Sequence, residues 1–143
     1  MTQSTDAPNS LVGTWKLISF QYEIEGSDER RDVFDEHPVG VLILTVEGRM
    51  IAMITASNRA PTATAGELFD GMLAYSGLYR LQGNRLITKV DSAWHPAWVG
   101  TEQTRFIDYD GEVLSLDAPE FREHPLFQGR RVRGAAIWQK EAA

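Results

Sequence analysis

Runs of alternating apolar and polar residues, separated by short glycine-containing turns, extend along most of the chain. The clearest turns are Glu47-Gly48, Gly83-Asn84 and Asp110-Gly111. Such pairs suit tight hairpins, and Asp-Gly is the strongest of these signals. The pattern predicts eight strands, at residues 14–24, 39–46, 49–56, 75–82, 85–94, 101–109, 112–116 and 132–140.

Short local turns predict a sheet whose strands follow one another in space. An open sheet of this kind would expose two edges, and closure into a barrel removes them. We therefore predict an all-β protein, a closed eight-stranded antiparallel up-and-down β-barrel. A β-sandwich is the alternative, but it needs long crossing connections, and few are visible.

One segment departs from the strand pattern. Thr64 and Glu67 have the spacing of a capping box, and the apolar residues that follow share helical faces. This predicts a short helix at about residues 65–75, between strands 3 and 4. We expect surface loops at residues 26–38 and 119–128.

Length and composition indicate one globular domain. The chain has 143 residues, of which 43% are hydrophobic and 24% charged, and it contains no cysteine. Disulfides and thiolate chemistry are therefore excluded. We expect a flexible tail at residues 1–10 and a barrel domain at residues 11–143. The tail lacks the apolar core of a secretion signal, and no run of about 20 apolar residues predicts a membrane span, so we expect a cytoplasmic protein.

Charge and motif content narrow the partners. The net charge of −6 argues against a nucleic-acid partner. No glycine-rich phosphate cradle or nucleophile elbow is present, and we predict no cofactor. His37, His95 and His124 are too far apart in the sequence for a local metal site, and we predict no metal.

Several phrases together resemble one known family. The most specific is Trp-Val-Gly-Thr-Glu-Gln-Thr-Arg at residues 98–105, and the others are Leu-Val-Gly-Thr-Trp at 11–15, Pro-Val-Gly at 38–40, Gly-Arg-Met at 48–50, Tyr-Ser-Gly-Leu-Tyr at 75–79 and Ile-Trp-Gln-Lys at 137–140. From residue 11 to residue 140 the chain is similar to the small bacterial and fungal lipocalin-like domain proteins. The resemblance implies a barrel around a ligand cavity. Some lipocalin-like proteins act as cyclases or isomerases in natural-product pathways. Relatives often carry histidines where this chain has Thr88 and Lys89, so no role resting on those histidines is carried over.

The strand at residues 101–109 carries the first candidate site residues. The resemblance marks Gln103 and Arg105, and we expect both to point into the barrel. An inward Arg105 could hold a carboxylate, an enolate or a carbonyl. The alternative is a structural arginine paired on the outside with a carboxylate such as Glu102, Asp91 or Glu112.

Aromatic residues supply further ligand-binding candidates. Tyr75 and Tyr79 share one strand face, with Gly77 between them leaving room for a ligand or for close backbone approach. Trp94 and Trp98 are candidates for the cavity wall. Plain core packing is the alternative for either tyrosine.

Acid–base chemistry has three candidates, His95, Asp91 and Tyr79. Asp91 and His95 share a face with Lys89, which we expect to point outward because charged stripes are usually solvated. The resemblance also implies a structural pair in which Lys140 lies over Trp15 at the barrel floor.

Three functional hypotheses remain. The first is a barrel that binds a small hydrophobic or amphipathic molecule whose polar end is held by Arg105, Gln103 and the tyrosines. The second is a cofactor-free isomerase, cyclase or dehydratase that acts on an apolar intermediate by enclosure and acid–base catalysis. The third is a homodimeric scaffold with a filled core.

Overall fold

The computed structural model describes residues 11–141, which form mainly β-strands. The strands are β1 (Gly13–Ile24), β2 (Arg30–Asp32), β3 (Val39–Leu44), β4 (Arg49–Thr55), β5 (Met72–Gln82), β6 (Arg85–Ala93), β7 (Glu102–Tyr109), β8 (Val113–Asp117), β9 (Arg122–Glu123) and β10 (Arg131–Lys140). A short helix, α1, spans Ala65–Asp70, and 3₁₀ turns span Pro96–Trp98 and Pro125–Phe127. The flexible tail expected at residues 1–10 lies outside the described residues.

Eight of these strands close into an antiparallel up-and-down barrel, as predicted. The order around the barrel is β1, β3, β4, β5, β6, β7, β8 and β10, and β10 pairs back with β1. The two short strands lie beside this barrel. The first half of β1 pairs with β3, whereas Gln21–Glu23 pair with β2, and β9 pairs with the start of β10.

Two details of the predicted element order need correction. The expected loops at residues 26–38 and 119–128 contain the short strands β2 and β9. Because β2 was not predicted, the strands numbered 3 and 4 in the prediction are β4 and β5 of the structure, and the helix lies between these two. The helix is also shorter than predicted. It ends at Asp70 because Met72 and Leu73 pair with β4 residues Thr55 and Ile54 and so belong to the sheet. The capping box of Thr64 and Glu67 forms as expected.

The two ends of the barrel differ in how they are filled. At one end, which we call the closed end, Trp15, Leu44, Leu86 and Leu114 are at most 1% exposed. Tyr109, at the end of β7, packs edge-on against Trp15 with 5.6 Å between ring centroids. The other end, the open end, holds the second half of β1, the first halves of β5, β7 and β10, and the last residues of β6. The internal cavity lies towards this open end.

Candidate functional site

The barrel contains an inner cavity of about 470 Å³ that is partly open to solvent. This volume falls within the roughly 300–1,000 Å³ of typical small-molecule sites. Most of its wall is apolar, contributed by Phe20, Phe34, Leu42, Met50, Ala52, Ile54, Met72, Leu73, Leu116, Ala136 and Trp138 among others. Large side chains from β1, β4 and β10 therefore surround a space that can take an apolar molecule.

Aromatic rings form the rim of the inner cavity. Trp98 packs against Tyr75 and Trp94, with centroid separations of 5.1 and 5.0 Å. Phe69 of helix α1 stacks on Trp94 at 5.9 Å and lies near His95 at 5.6 Å. Helix α1 thus brings one ring to the rim, and the 3₁₀ turn at Pro96–Trp98 brings another. The expected wall residues Trp94 and Trp98 both line the cavity.

The tryptophans contribute ring surface rather than hydrogen bonds. The indole Nε1 atoms of Trp94 and Trp138 are buried and have no hydrogen-bond partner among residues 11–141. Trp138 is only 2% exposed, and the sequence analysis did not name it as a residue of the cavity wall. The alternation of Gly134, Ala136 and Trp138 on the inner face of β10 is the signal that could have identified it.

Arg105 lies in the wall of the inner cavity, which also includes the ionisable residues Asp70 and His95. On β7, Arg105 lines the inner cavity, as expected, and Ile107 and Tyr109 of the same strand face pack against the core. Arg105 Nη1 donates to the Thr104 carbonyl at 2.8 Å, and no described carboxylate pairs with it. Two of the three outer partners offered as the alternative are engaged elsewhere, because Glu102 binds Arg80 at 3.0 Å and Asp91 binds Arg49 at 2.8 Å.

Gln103 borders a second space. This space, the polar compartment, has a volume of about 670 Å³ and lies between the start of β7, the start of β10 and the segment from Ala118 to His124. The Gln103 side-chain amide donates to Thr101 Oγ1 at 3.0 Å. Gln103 therefore lies beside Arg105 but outside the inner cavity.

Two tyrosines of β5 have different surroundings. Tyr75 is 8% exposed and lines the inner cavity, and its hydroxyl makes no hydrogen bond to a described residue. Tyr79 lies at the closed end, where its hydroxyl donates to the Thr45 carbonyl at 2.9 Å. Burial raises the pKa of Tyr79. The structure thus brings Tyr75 to the cavity and leaves Tyr79 outside it.

Of the other two acid–base candidates, His95 lines the inner cavity and Asp91 does not. His95 lies at the cavity rim, and its Nδ1 accepts from the Ala97 amide at 3.1 Å, so the neutral ring carries its proton on Nε2. Asp91 lies on the outer face of β6, where hydrogen bonds from Arg49 hold its pKa below the usual range. Lys89 also points outward, as expected, and its Nζ donates to the Gly100 carbonyl at 3.0 Å.

A Tyr22–His124 pair was missed by the sequence analysis. Tyr22 lines both spaces, and its hydroxyl lies 3.3 Å from His124 Nε2. His124 Nδ1 accepts from the Leu126 amide at 3.2 Å, so the neutral ring donates from Nε2 to the tyrosine oxygen. The two residues are 102 positions apart, and no local pattern could connect them.

Neither a metal-binding group nor a membrane-spanning helix is found among the described residues. Within residues 11–141, no three histidine or carboxylate side chains gather into a group that could hold a metal ion. In the same range, no helix has both the length and the apolar character needed to cross a bilayer.

The fold and the cavity define a class of protein, a closed β-barrel that contains a ligand-sized apolar space. The sequence profile of the lipocalin-like domain family matches residues 12–141, which is nearly the whole of the 143-residue chain. The chain therefore belongs to this lipocalin-like family, as the resemblance implied. No curated protein sequence gives a significant match.

Proposed function

We propose that this protein binds a small apolar or amphipathic molecule in the inner cavity, with a carboxylate or carbonyl oxygen on Arg105. The observation that carries the proposal is the position of Arg105, a cation that no described carboxylate pairs with, in the wall of a mostly apolar cavity that also has Asp70 and His95 in its lining. A charged group next to apolar surface is costly unless it is paired. An acidic or carbonyl-bearing ligand would supply the missing partner.

Tyr75 and Gln103 complete the proposed polar contacts. The Tyr75 hydroxyl, inside the cavity, can donate to the same oxygen or to a second acceptor. Gln103 would contact only the part of a ligand that extends beyond Arg105. Tyr79 has no part in binding, because its hydroxyl is engaged at the closed end.

Native mass spectrometry tests the binding proposal directly. The protein is incubated with fatty acids, terpenoids and polyketide-like aromatic acids, and mass shifts are recorded with tryptophan emission. Retained adducts and changed emission are expected, because Trp94, Trp98 and Trp138 all line the cavity. If no compound gives an adduct and the emission stays constant, the binding proposal is wrong.

A second proposed function is cofactor-free isomerisation, cyclisation or dehydration of the bound molecule. His95 favours it, because an imidazole with a defined tautomer lies at the rim of an apolar cavity. The imidazole could exchange a proton with an enclosed substrate. The test is turnover of a molecule found to bind, in the wild type and in His95→Gln. Turnover that persists unchanged in His95→Gln would exclude His95 as the acid or base.

A further inference from the structure

The inner cavity and the polar compartment share one section of wall. Tyr22, Trp98, Arg105, Ala118 and Gly134 line both spaces. Four of them form one row across neighbouring strands. Tyr22 of β1 pairs with Gly134 of β10, and the Ala118 amide donates to the Gly134 carbonyl at 2.9 Å. Phe106 of β7 pairs with Asp117 of β8, so the preceding residue of β7, Arg105, lies opposite Ala118.

This row has small residues in the middle and donors at its two ends. Ala118 and Gly134 place almost no side chain between Tyr22 and Arg105. The one atom within 4 Å of a Cβ built on Gly134 is Phe20 Cε1, at 3.6 Å, which is ordinary van der Waals contact, so no backbone atom crowds the glycine. The row is therefore a passage, floored by Ala118 and Gly134 and flanked by Tyr22 and Arg105.

Both flanking residues present hydrogen-bond donors at the passage. Because His124 donates to the Tyr22 oxygen, the tyrosine hydroxyl keeps its own proton for a further acceptor. Burial raises the pKa of Tyr22, so this hydroxyl stays protonated at neutral pH. Arg105 offers its guanidinium from the other side. Two donors facing a gap suit one acceptor oxygen, such as that of a carbonyl.

The polar compartment beyond the passage has balanced charge. It is lined by three arginines and three glutamates, Arg105, Arg122, Arg133, Glu102, Glu120 and Glu123. Arg133 binds Glu23 at 2.7 Å, and Arg122 lies 3.8 Å from Glu120. The charges of the polar compartment therefore favour neither an anionic nor a cationic group. Its hydrogen-bonding side chains suit a neutral part of a ligand that carries hydroxyls or amides.

We infer that the ligand has two parts, an apolar body in the inner cavity and a neutral polar extension in the polar compartment, joined by a carbonyl in the passage. This inference rests on the proposed binding function and specifies the chemical class of the ligand. An ester or amide of an apolar acid with a hydroxyl-rich group has the required order of parts.

Two probes with the same apolar body test the inference. Decanoic acid ends at its carboxylate, whereas decanoyl-N-methylglucamide continues beyond its carbonyl with a chain of hydroxyls. Both are titrated by calorimetry below the critical micelle concentration of the glucamide. The test variant is Gly134→Val, which narrows the passage, and the control is Ala135→Val, which adds bulk at the next residue of β10, on the outer face.

The expected result is a selective loss. Gly134→Val should weaken glucamide binding about tenfold or more, equivalent to about 1.4 kcal/mol, and should change decanoic acid binding by less than about threefold. Ala135→Val should leave both affinities unchanged. Ala118→Val narrows the same passage from the neighbouring strand, and it replaces Gly134→Val if that variant does not fold.

Contrary outcomes separate the two proposals. If the wild type binds decanoic acid but not the glucamide, or if the narrowed passage affects both probes equally, the two-part ligand is wrong and the binding function stands. If neither these probes nor the compounds of the mass-spectrometric panel bind to the wild type, the binding function itself is wrong.

Discussion

The Lys140 ammonium lies 5.4 Å from the ring centroid of Trp15, at the closed end of the barrel. The two residues are directly paired where β1 meets β10, and Trp15 is 0% exposed. Gly13, next to this pair, has no side chain, and an added Cβ would lie 2.7 Å from Lys140 Cε. The structural pair predicted from the family resemblance is thereby confirmed.

Trp15→Ala should strongly destabilise the protein. The substitution removes a buried ring and the hydrogen bond that Trp15 Nε1 donates to the Leu11 carbonyl at 2.9 Å. Large-to-small changes of this kind cost about 3–5 kcal/mol. Denaturant unfolding followed by circular dichroism measures the loss. Lys140→Met, which removes the cation and keeps an apolar chain, should cost only about 0.5–1 kcal/mol. An unchanged midpoint in Trp15→Ala would contradict this role.

Local sequence signals were sufficient to predict the barrel but not the organisation of its open end. Asp110 shows why the turns could be predicted from the sequence. Its carboxylate accepts hydrogen bonds from the Glu112 and Val113 amides, so the turn is stabilised by residues within the same hairpin. The short strand β2 was missed because its residues Arg-Arg-Asp are all exposed and charged, and only pairing with β1 makes them a strand.

The candidate site was predictable only where alternation along one strand determined orientation. Arg105 was placed inward from its strand and from the resemblance. The Tyr22–His124 contact and the Ala118–Gly134 passage depend on barrel closure between distant strands, which no local pattern encodes. Asp91 shares the outer face of β6 with Lys89, as alternation along the strand indicates, but its partner Arg49 lies on another strand and could not be predicted from that pattern.

Gly77→Ala should destabilise the barrel through a backbone collision. A Cβ at this position would lie 2.0 Å from the Lys89 carbonyl oxygen, at the irregularity where Ser76 pairs with Ser92 but Gly77 pairs with Val90. Relieving such overpacking typically costs about 1–3 kcal/mol.

Gly66→Ala is the matched control for this glycine. Nothing lies within 4 Å of a Cβ at Gly66 in helix α1, and alanine favours helix, so stability should be unchanged or slightly higher. Thermal unfolding of both variants gives the comparison. A Gly77→Ala protein as stable as Gly66→Ala would show that the close approach has no energetic consequence.

Asp117→Asn should make the protein more stable at neutral pH. Burial, together with the nearby charges of Glu23 and Asp108, raises the pKa of Asp117 in the folded state. The folded protein therefore binds more protons than the unfolded chain between the unfolded pKa, about 3.9, and the raised folded value. Stability falls as the pH rises through this window, and asparagine removes that loss.

Urea unfolding at about pH 7 and about pH 3 measures the effect of Asp117→Asn. The gain should be present at the higher pH and absent at the lower one, where the aspartate is protonated in both states. Asp110→Asn should show the opposite sign, because backbone amides lower the pKa of Asp110. Equal gains for Asp117→Asn at both pH values would contradict the assignment.

Asp91→Asn and Tyr79→Phe should leave ligand affinity unchanged. Asp91 forms an exposed ion pair with Arg49, and Tyr79 donates to the Thr45 carbonyl at the closed end. Their removal should affect stability alone, by about 0.5–1.5 kcal/mol for the tyrosine hydrogen bond. Tyr75→Phe, a matched loss of one hydroxyl inside the cavity, should weaken binding of an acid. Calorimetric titrations with decanoic acid compare the three variants. Weaker binding by Asp91→Asn or Tyr79→Phe would contradict the position of that residue outside the inner cavity.

Arg105→Gln should weaken the binding of an acid far more than that of an alcohol with the same chain. The guanidinium has no carboxylate partner among the described residues, so a decanoate ion would supply one inside the cavity, whereas decanol has no charge to pair. Hydrogen bonds to a charged group contribute about 1.5–3 kcal/mol, which corresponds to a loss of about tenfold to a hundredfold for the acid. Decanol affinity should fall by less than about threefold.

Arg85→Gln provides the control for Arg105→Gln. It makes the same change of net charge at an exposed site on the outside of the barrel, where the guanidinium lies 5.6 Å from the Phe106 ring centroid. Calorimetry with both ligands on both variants separates a local contact from a change in the overall field of the protein. If Arg85→Gln weakens decanoate binding as much as Arg105→Gln does, the effect is general electrostatics. If Arg105→Gln lowers both affinities equally, Arg105 shapes the cavity and does not hold the acid.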